Sequence, residues 1–191
     1  MKVLLYDNYD SFTYNLVHLL EAADQRVSVE VMRNDEYELD RWKRFDAVVI
    51  SPGPGLPVES GNLMDFIRSV EGERPVLGIC LGLQALFVHF GGRLVNLSLV
   101  RHGIALPTVI SDTGDPLYKG VEQGFLAGRY HSWVADKAYV PENLKVTATD
   151  QDGQIMAIRH RELEMVAVQF HPESVLTPEG PKILQNWLKS C

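Results

Sequence analysis

Cysteine is scarce in this chain: two among 191 residues, one of them the last. That excludes a disulfide framework and points to a reducing, cytoplasmic setting. Positive charge is in deficit as well, with 18 Lys and Arg against 25 Asp and Glu and a net charge of −7. No basic cluster offsets this, which argues against a nucleic-acid groove. No apolar run approaches the length of a membrane span, and the N-terminus turns polar by Asp7, too soon for a signal peptide. No Cys/His group has zinc-ligand spacing, so no metal site is expected.

What is present is an ordinary soluble composition, 46% hydrophobic and 23% charged. A single domain over residues 1–191 is expected, large enough to bury a core. Through the first half, short apolar runs alternate with amphipathic segments, the order of a parallel sheet covered by helices. Strands are expected at 3–6, 27–32, 47–50 and 76–79. Helices are expected at 12–23, entered through Asp10 or Ser11 as N-cap, and after Ser60 across Leu63, Phe66, Ile67 and Val70. A third runs over 81–90 and stops at Gly91-Gly92. Beyond Gly92 the chain is strand-rich, with runs near 94–97, 105–110, 145–149, 155–158 and 165–170. Thr177-Pro178 is the expected cap of a last helix that buries Ile183, Leu184, Trp187 and Leu188. The fold class is α/β.

Cys80 stands between Gly78 and Gly82 where an apolar run turns into a helix. As a free cysteine it has two readings, a small core hydrophobe or a nucleophile. A sharp strand-to-helix turn exposes its central side chain above the sheet, and needs small neighbours to avoid a clash. The helix that follows would turn its N–H groups and positive dipole end toward the sulfur, favouring its anionic form. The Leu81 amide is then placed to bind an oxyanion.

A nucleophile needs a base, and the base an orienter. Of six histidines, His18 and His89 fall within predicted helices, and His160 sits among charges as a solvated turn. His171 follows a buried run and precedes Pro172, which favours an extended conformation. Residues i and i+2 of an extended chain face one way, so Glu173 can approach the His171 ring. Alone, His171-Pro172-Glu173 is also readable as a structural turn. Ser51 to Gly55, "SPGPG", is either a tight turn or a rigid loop presenting backbone N–H groups, with Gly55 as a second oxyanion donor. All three elements follow predicted strands, where open α/β sheets bind ligands.

"DNYDSFTYNLVHLL" (7–20), "SPGPG" (51–55), "GICLGLQAL" (78–86), "RYHSW" (129–133) and "QFHPES" (169–174) together resemble the triad-type, class I glutamine amidotransferases over nearly the whole chain. Within them they resemble the small subunits of anthranilate synthase and aminodeoxychorismate (para-aminobenzoate) synthase. The resemblance implies a flavodoxin-like fold with a central, mostly parallel sheet flanked by helices. It implies that Cys80 attacks the side-chain amide of L-glutamine, with His171 as acid and base and Glu173 orienting it. Gly53, Pro54 and Gly55 would match the glutamine-binding loop, and Gln84, Ser132 and Trp133 the contacts to the amino-acid end. No cofactor is implied. The ammonia would pass to a chorismate-utilising large subunit in a heterodimer or higher hetero-oligomer.

Two departures stand out: Ile104 follows His102-Gly103 where the family usually has lysine, and Trp133 stands where leucine is common. Both are expected to lie away from the sulfur. Three rival readings remain, of which a catalytically idle interaction subunit is disfavoured because the triad is complete. A stand-alone cysteine hydrolase acting on γ-glutamyl bonds shares the elbow and base, but Gln84 and the Tyr-His-Ser segment favour nitrogen transfer. A flavin module would hold phosphate at 7–15, a loop without glycine that Tyr9, Phe12 and Tyr14 crowd.

Overall fold

The computed structural model describes residues 1–36 and 40–191, with 98–101 as backbone. Strand and helix alternate through the first half: β1 (Lys2–Asp7), α1 (Thr13–Ala23), β2 (Ser28–Arg33), β3 (Ala47–Ile50), α2 (Leu63–Val70), β4 (Val76–Ile79) and α3 (Leu81–His89). The second half carries β5 (Leu94–Ile110), β6 (Leu126–Ala135), β7 (Leu144–Asp150), β8 (Ile155–His160), β9 (Met165–Val168) and α4 (Gly180–Ser190). The strands form one nine-stranded sheet in the order β2-β1-β3-β4-β9-β8-β7-β5-β6. From β2 to β9 the neighbours are parallel, and from β9 to β6 antiparallel.

β3, β4 and β9 are buried at every residue, which explains their unbroken apolar runs: both faces of a parallel sheet are covered. Along β1 the alternation divides the core. Val3 and Leu5 join Leu16, Leu20, Ile183 and Trp187 on the α1/α4 face. Leu4 and Tyr6 join Phe66, Ile67, Leu83 and Phe87 on the α2/α3 face.

The register positions the site. β9 is the last strand in the chain, yet it inserts beside β4, pairing Ile79 with Val168. Tyr6, Ile50 and Gly78 likewise align across β1, β3 and β4. The residues after all four strands therefore gather at one edge, beyond the carboxyl ends.

Several local expectations change. Phe12, not Asp10 or Ser11, occupies the N-cap of α1; Asp10 instead accepts the Phe12 N–H at 2.9 Å, and Thr13 Oγ1 donates to Asp7 at 2.6 Å. Ser60 donates to the Leu56 carbonyl, so Asn62 stands at the N-cap of α2. Glu179 takes the N-cap of α4, with proline at Pro181, because Thr177 is committed elsewhere. His160 is buried rather than solvated: its Nδ1 accepts the Glu162 and Leu163 N–H groups and its ring packs on Phe90. The runs at 94–97 and 105–110 are one strand, β5, which pairs with β6 through two register breaks as far as Pro107 and with β7 from Thr108. No described helix is long and apolar enough to cross a membrane.

Candidate active site

Cys80 joins β4 to α3 with φ 52° and ψ −99°, a left-handed conformation that costs a non-glycine residue roughly 1–3 kcal/mol. The surroundings leave it no alternative. Its N–H donates to the Val168 carbonyl at 2.8 Å. A methyl group on Gly78 would stand 2.7 Å from the Gly82 carbonyl oxygen, and one on Gly82 would stand 2.8 Å from that of Ile50. Only glycine fits on either side of the turn. Leu81 is the first residue of α3, where backbone N–H groups lack intrahelical partners and the dipole end is positive.

His171 leaves β9 two residues after Gln169. Its Nδ1 lies 2.6 Å from Glu173 Oε1, and the two side chains are 6% and 1% exposed. Thr177 braces this turn: its hydroxyl donates to the His171 carbonyl at 2.6 Å and accepts the Gly128 N–H at 2.9 Å. Burial opposes a charge on His171 more than any other single influence, but a Cys80 anion and then Glu173 together outweigh it. The imidazole pKa therefore stands well above its ordinary range. Among the described residues Nε2 has no partner at ordinary hydrogen-bond distance, though the Cys80 sulfur acts on the imidazole through both charge and hydrogen bonding, and His171 and Cys80 line one cavity.

Two cavities meet at Cys80. The first, about 380 Å³, is lined by Gly53, Pro54, Gly55, Leu56, Glu59, Gln84, Tyr130, His131, Ser132 and Trp133. The second, about 350 Å³, lies toward the loop from Tyr9 to Phe12 and includes His102, Tyr130 and His171. In it burial holds the Asp10 carboxyl above the usual range. The loop at 51–55 is anchored from β1, for Asn8 N–H donates to Ser51 Oγ at 2.8 Å and Asn8 Nδ2 to the Ser51 carbonyl at 3.1 Å. Gly53 packs so closely that a Cβ would lie 2.6 Å from Asn8 and 2.9 Å from Leu81.

All the residues expected to meet substrate through the loop and the Tyr-His-Ser segment thus face one space with Cys80. Trp133 is among them, so this departure does not lie away from the sulfur; Ile104 is exposed and lines neither cavity. Gln84 donates to the Trp133 carbonyl at 2.9 Å, tying α3 to β6. Two residues escaped the sequence reading. Gln169 is fully buried, and its Nε2 points at Cys80 Sγ from 3.5 Å; its spacing of two from His171 was the available signal. Glu59 brings a carboxylate to the first cavity, unannounced by any motif. No His, Cys, Asp or Glu group among the described residues is arranged to hold a metal ion.

A sulfur on a strained turn, an imidazole held by a carboxylate and backbone N–H groups at a helix start are parts suited to acyl transfer through a covalent intermediate. Similarity to known proteins agrees with that chemistry. The family described as glutamine amidotransferase class-I matches residues 4–191. An anthranilate synthase component 2 from Leptospira biflexa is 39% identical over 203 residues, spanning 100% of both chains. An aminodeoxychorismate synthase component 2 from Klebsiella aerogenes is 43% identical over 188 residues, 97% of this chain and 98% of its own. A crystal structure of a GMP synthase subunit from Thermoplasma acidophilum matches with a TM-score of 0.87 over 99% of this chain and 92% of that one; at 22% identity it speaks for the flavodoxin-like fold alone. Matched from residue 4 to its last residue, and similar at this level to component 2 proteins, the chain belongs to the class I glutamine amidotransferases.

Proposed function

We propose that this chain is the glutaminase subunit of a chorismate-aminating synthase, anthranilate or aminodeoxychorismate synthase, acting through Cys80, His171 and Glu173. The observation that carries the reading is the His171–Glu173 pair, 2.6 Å apart and buried, in the cavity that also holds Cys80 on its strained turn. The component 2 relatives supply the choice of partner.

In this reading glutamine lies in the first cavity with its side-chain amide at Cys80, and Glu59 faces its α-ammonium group. The Cys80 thiolate adds to the amide carbon while the N–H groups of Gly55 and Leu81 hold the oxyanion. The carbon–nitrogen bond breaks as the His171 imidazolium gives its proton to the departing nitrogen, leaving a γ-glutamyl thioester and free ammonia. Neutral His171 then takes a proton from water, whose attack on the thioester releases glutamate and restores the thiolate. Glu173 holds the imidazole at Nδ1 throughout. Ammonia passes to the large subunit, which adds it to chorismate. The test is ammonia release from glutamine by this chain alone and with each large subunit, with and without chorismate. Release that rises with one large subunit, together with an aminated chorismate product, supports the reading. Cleavage of γ-glutamyl peptides with no response to either subunit would replace it with a stand-alone hydrolase.

A further inference from the structure

Four residues line both cavities at Cys80: Gly53, Pro54, Tyr130 and Cys80 itself. Gly53 has no side chain and the Pro54 ring is closed onto the backbone. Beside the Cys80 side chain itself, Tyr130 is the rotatable side chain that both spaces share. It is held on several sides. Its ring meets the His171 imidazole edge-on, with centroids 4.8 Å apart and planes at 64°. It meets His102 at 5.4 Å and 85°, and Phe12 at 6.2 Å and 45°. Its hydroxyl lies 2.9 Å from Ser174 Oγ, which also accepts the Leu176 N–H at 3.1 Å. The ring is thus tied to the same turn that carries His171. Glu173 grips only Nδ1, and one hydrogen bond leaves an imidazole free to tilt about it. Aromatic packing against the ring removes that freedom.

We propose that Tyr130 is a positioning residue: it fixes the tilt of His171 relative to Cys80 and partitions the two cavities, with Ser174 as its latch. The activity readout rests on the glutaminase reading above; a second readout, the titration of His171, does not. The titratable groups around that ring are Cys80, Glu173 and Asp10, with His102 across the Tyr130 ring.

The test combines glutamine hydrolysis with NMR titration of the His171 imidazole. Tyr130→Leu stays apolar but removes the ring edge and the hydroxyl, and should lower kcat about tenfold or more, because a mis-aimed catalytic group forfeits its orientation. It should also move the His171 titration down toward the ordinary histidine value, since a ring tilted about its Glu173 bond swings away from Cys80, the larger of the two raising influences. Tyr130→Phe cuts only the latch, whereas Ser174→Ala cuts the latch and the Leu176 N–H contact; each should lower kcat about threefold or more, with the double variant no worse than Ser174→Ala alone. Should Tyr130→Leu fail to fold, this cycle decides alone. Wild-type kcat and an unmoved His171 titration in Tyr130→Leu, or effects that multiply in the latch cycle, overturn the proposal. A wild-type chain that releases no ammonia from glutamine counts against the glutaminase reading, and the His171 titration then decides the role of Tyr130.

Discussion

His171 is buried beside Cys80 and Glu173, and in the proposed mechanism a charge on it is what protonates the leaving nitrogen. Glu173→Gln keeps the shape and removes one of the two anionic neighbours. It should lower kcat about 10²-fold, in the range of a lost general acid–base partner, with KM for glutamine little changed. An unaffected turnover would mean that His171-Pro172-Glu173 is only a turn. The same variant reads out in stability. Folding raises the His171 pKa, so its protonation stabilises the fold fully below the ordinary value of 6.5, and that contribution fades as pH rises through the raised one. The Tm deficit of Glu173→Gln should therefore be largest near pH 6 and shrink in alkaline buffer; a deficit that grows with pH would contradict the assigned charge. Cys191 offers the contrast. Although the residue is exposed as a whole, packing around its sulfur and then the charge of Glu164 push the thiol upward, and the sulfur donates to the Trp187 carbonyl. Cys191→Ser should leave turnover as it is.

At the scale of elements, the site depends on two joints, the β4–α3 elbow and the turn after β9. Thr177→Val keeps the side-chain shape of the second joint but removes the hydroxyl that serves both the His171 carbonyl and the Gly128 N–H. Leaving a buried donor unsatisfied costs roughly 1–3 kcal/mol, so denaturant unfolding should show a loss of that size with a fall in kcat. A variant as stable and active as the parent would show that the brace is idle. The elbow was legible in the sequence because its requirement is steric, glycine on both sides of Cys80. The parallel strands were legible because burial on both faces leaves unbroken apolar runs. β6 was not, for its alternation is interrupted by Gly128 and by a fully buried Arg129, so Tyr130 and His131 gave no sign of sharing a strand. Helix caps misled for a related reason. Asp10, Ser60 and Thr177 are all good cap residues, but each spends its oxygen on a loop that the tertiary fold requires.

Across the whole molecule, the edge that gathers the loops also collects exposed apolar side chains. Tyr9 and Phe12 are 52% and 41% exposed at the second cavity, and Tyr14, two residues on, is 67% exposed. Tyr130 and Trp133, which look equally available in sequence, instead pack within the site. Aromatic residues are enriched where proteins meet, so Tyr14→Ser should weaken activation by the large subunit while hydrolysis by the isolated chain stays unchanged. Equal activation of variant and parent would move the docking surface elsewhere. The central claim, that Cys80 releases ammonia from glutamine and the large subunit adds it to chorismate, meets its most direct test in one comparison. In the reconstituted complex, product formation by Cys80→Ser is measured with glutamine and, separately, with ammonia as nitrogen source. The account predicts that the glutamine-dependent rate disappears while the ammonia-dependent rate persists at its parental level. Glutamine-dependent synthesis continuing at the parental rate, or both rates collapsing together in a complex that still assembles, would contradict it.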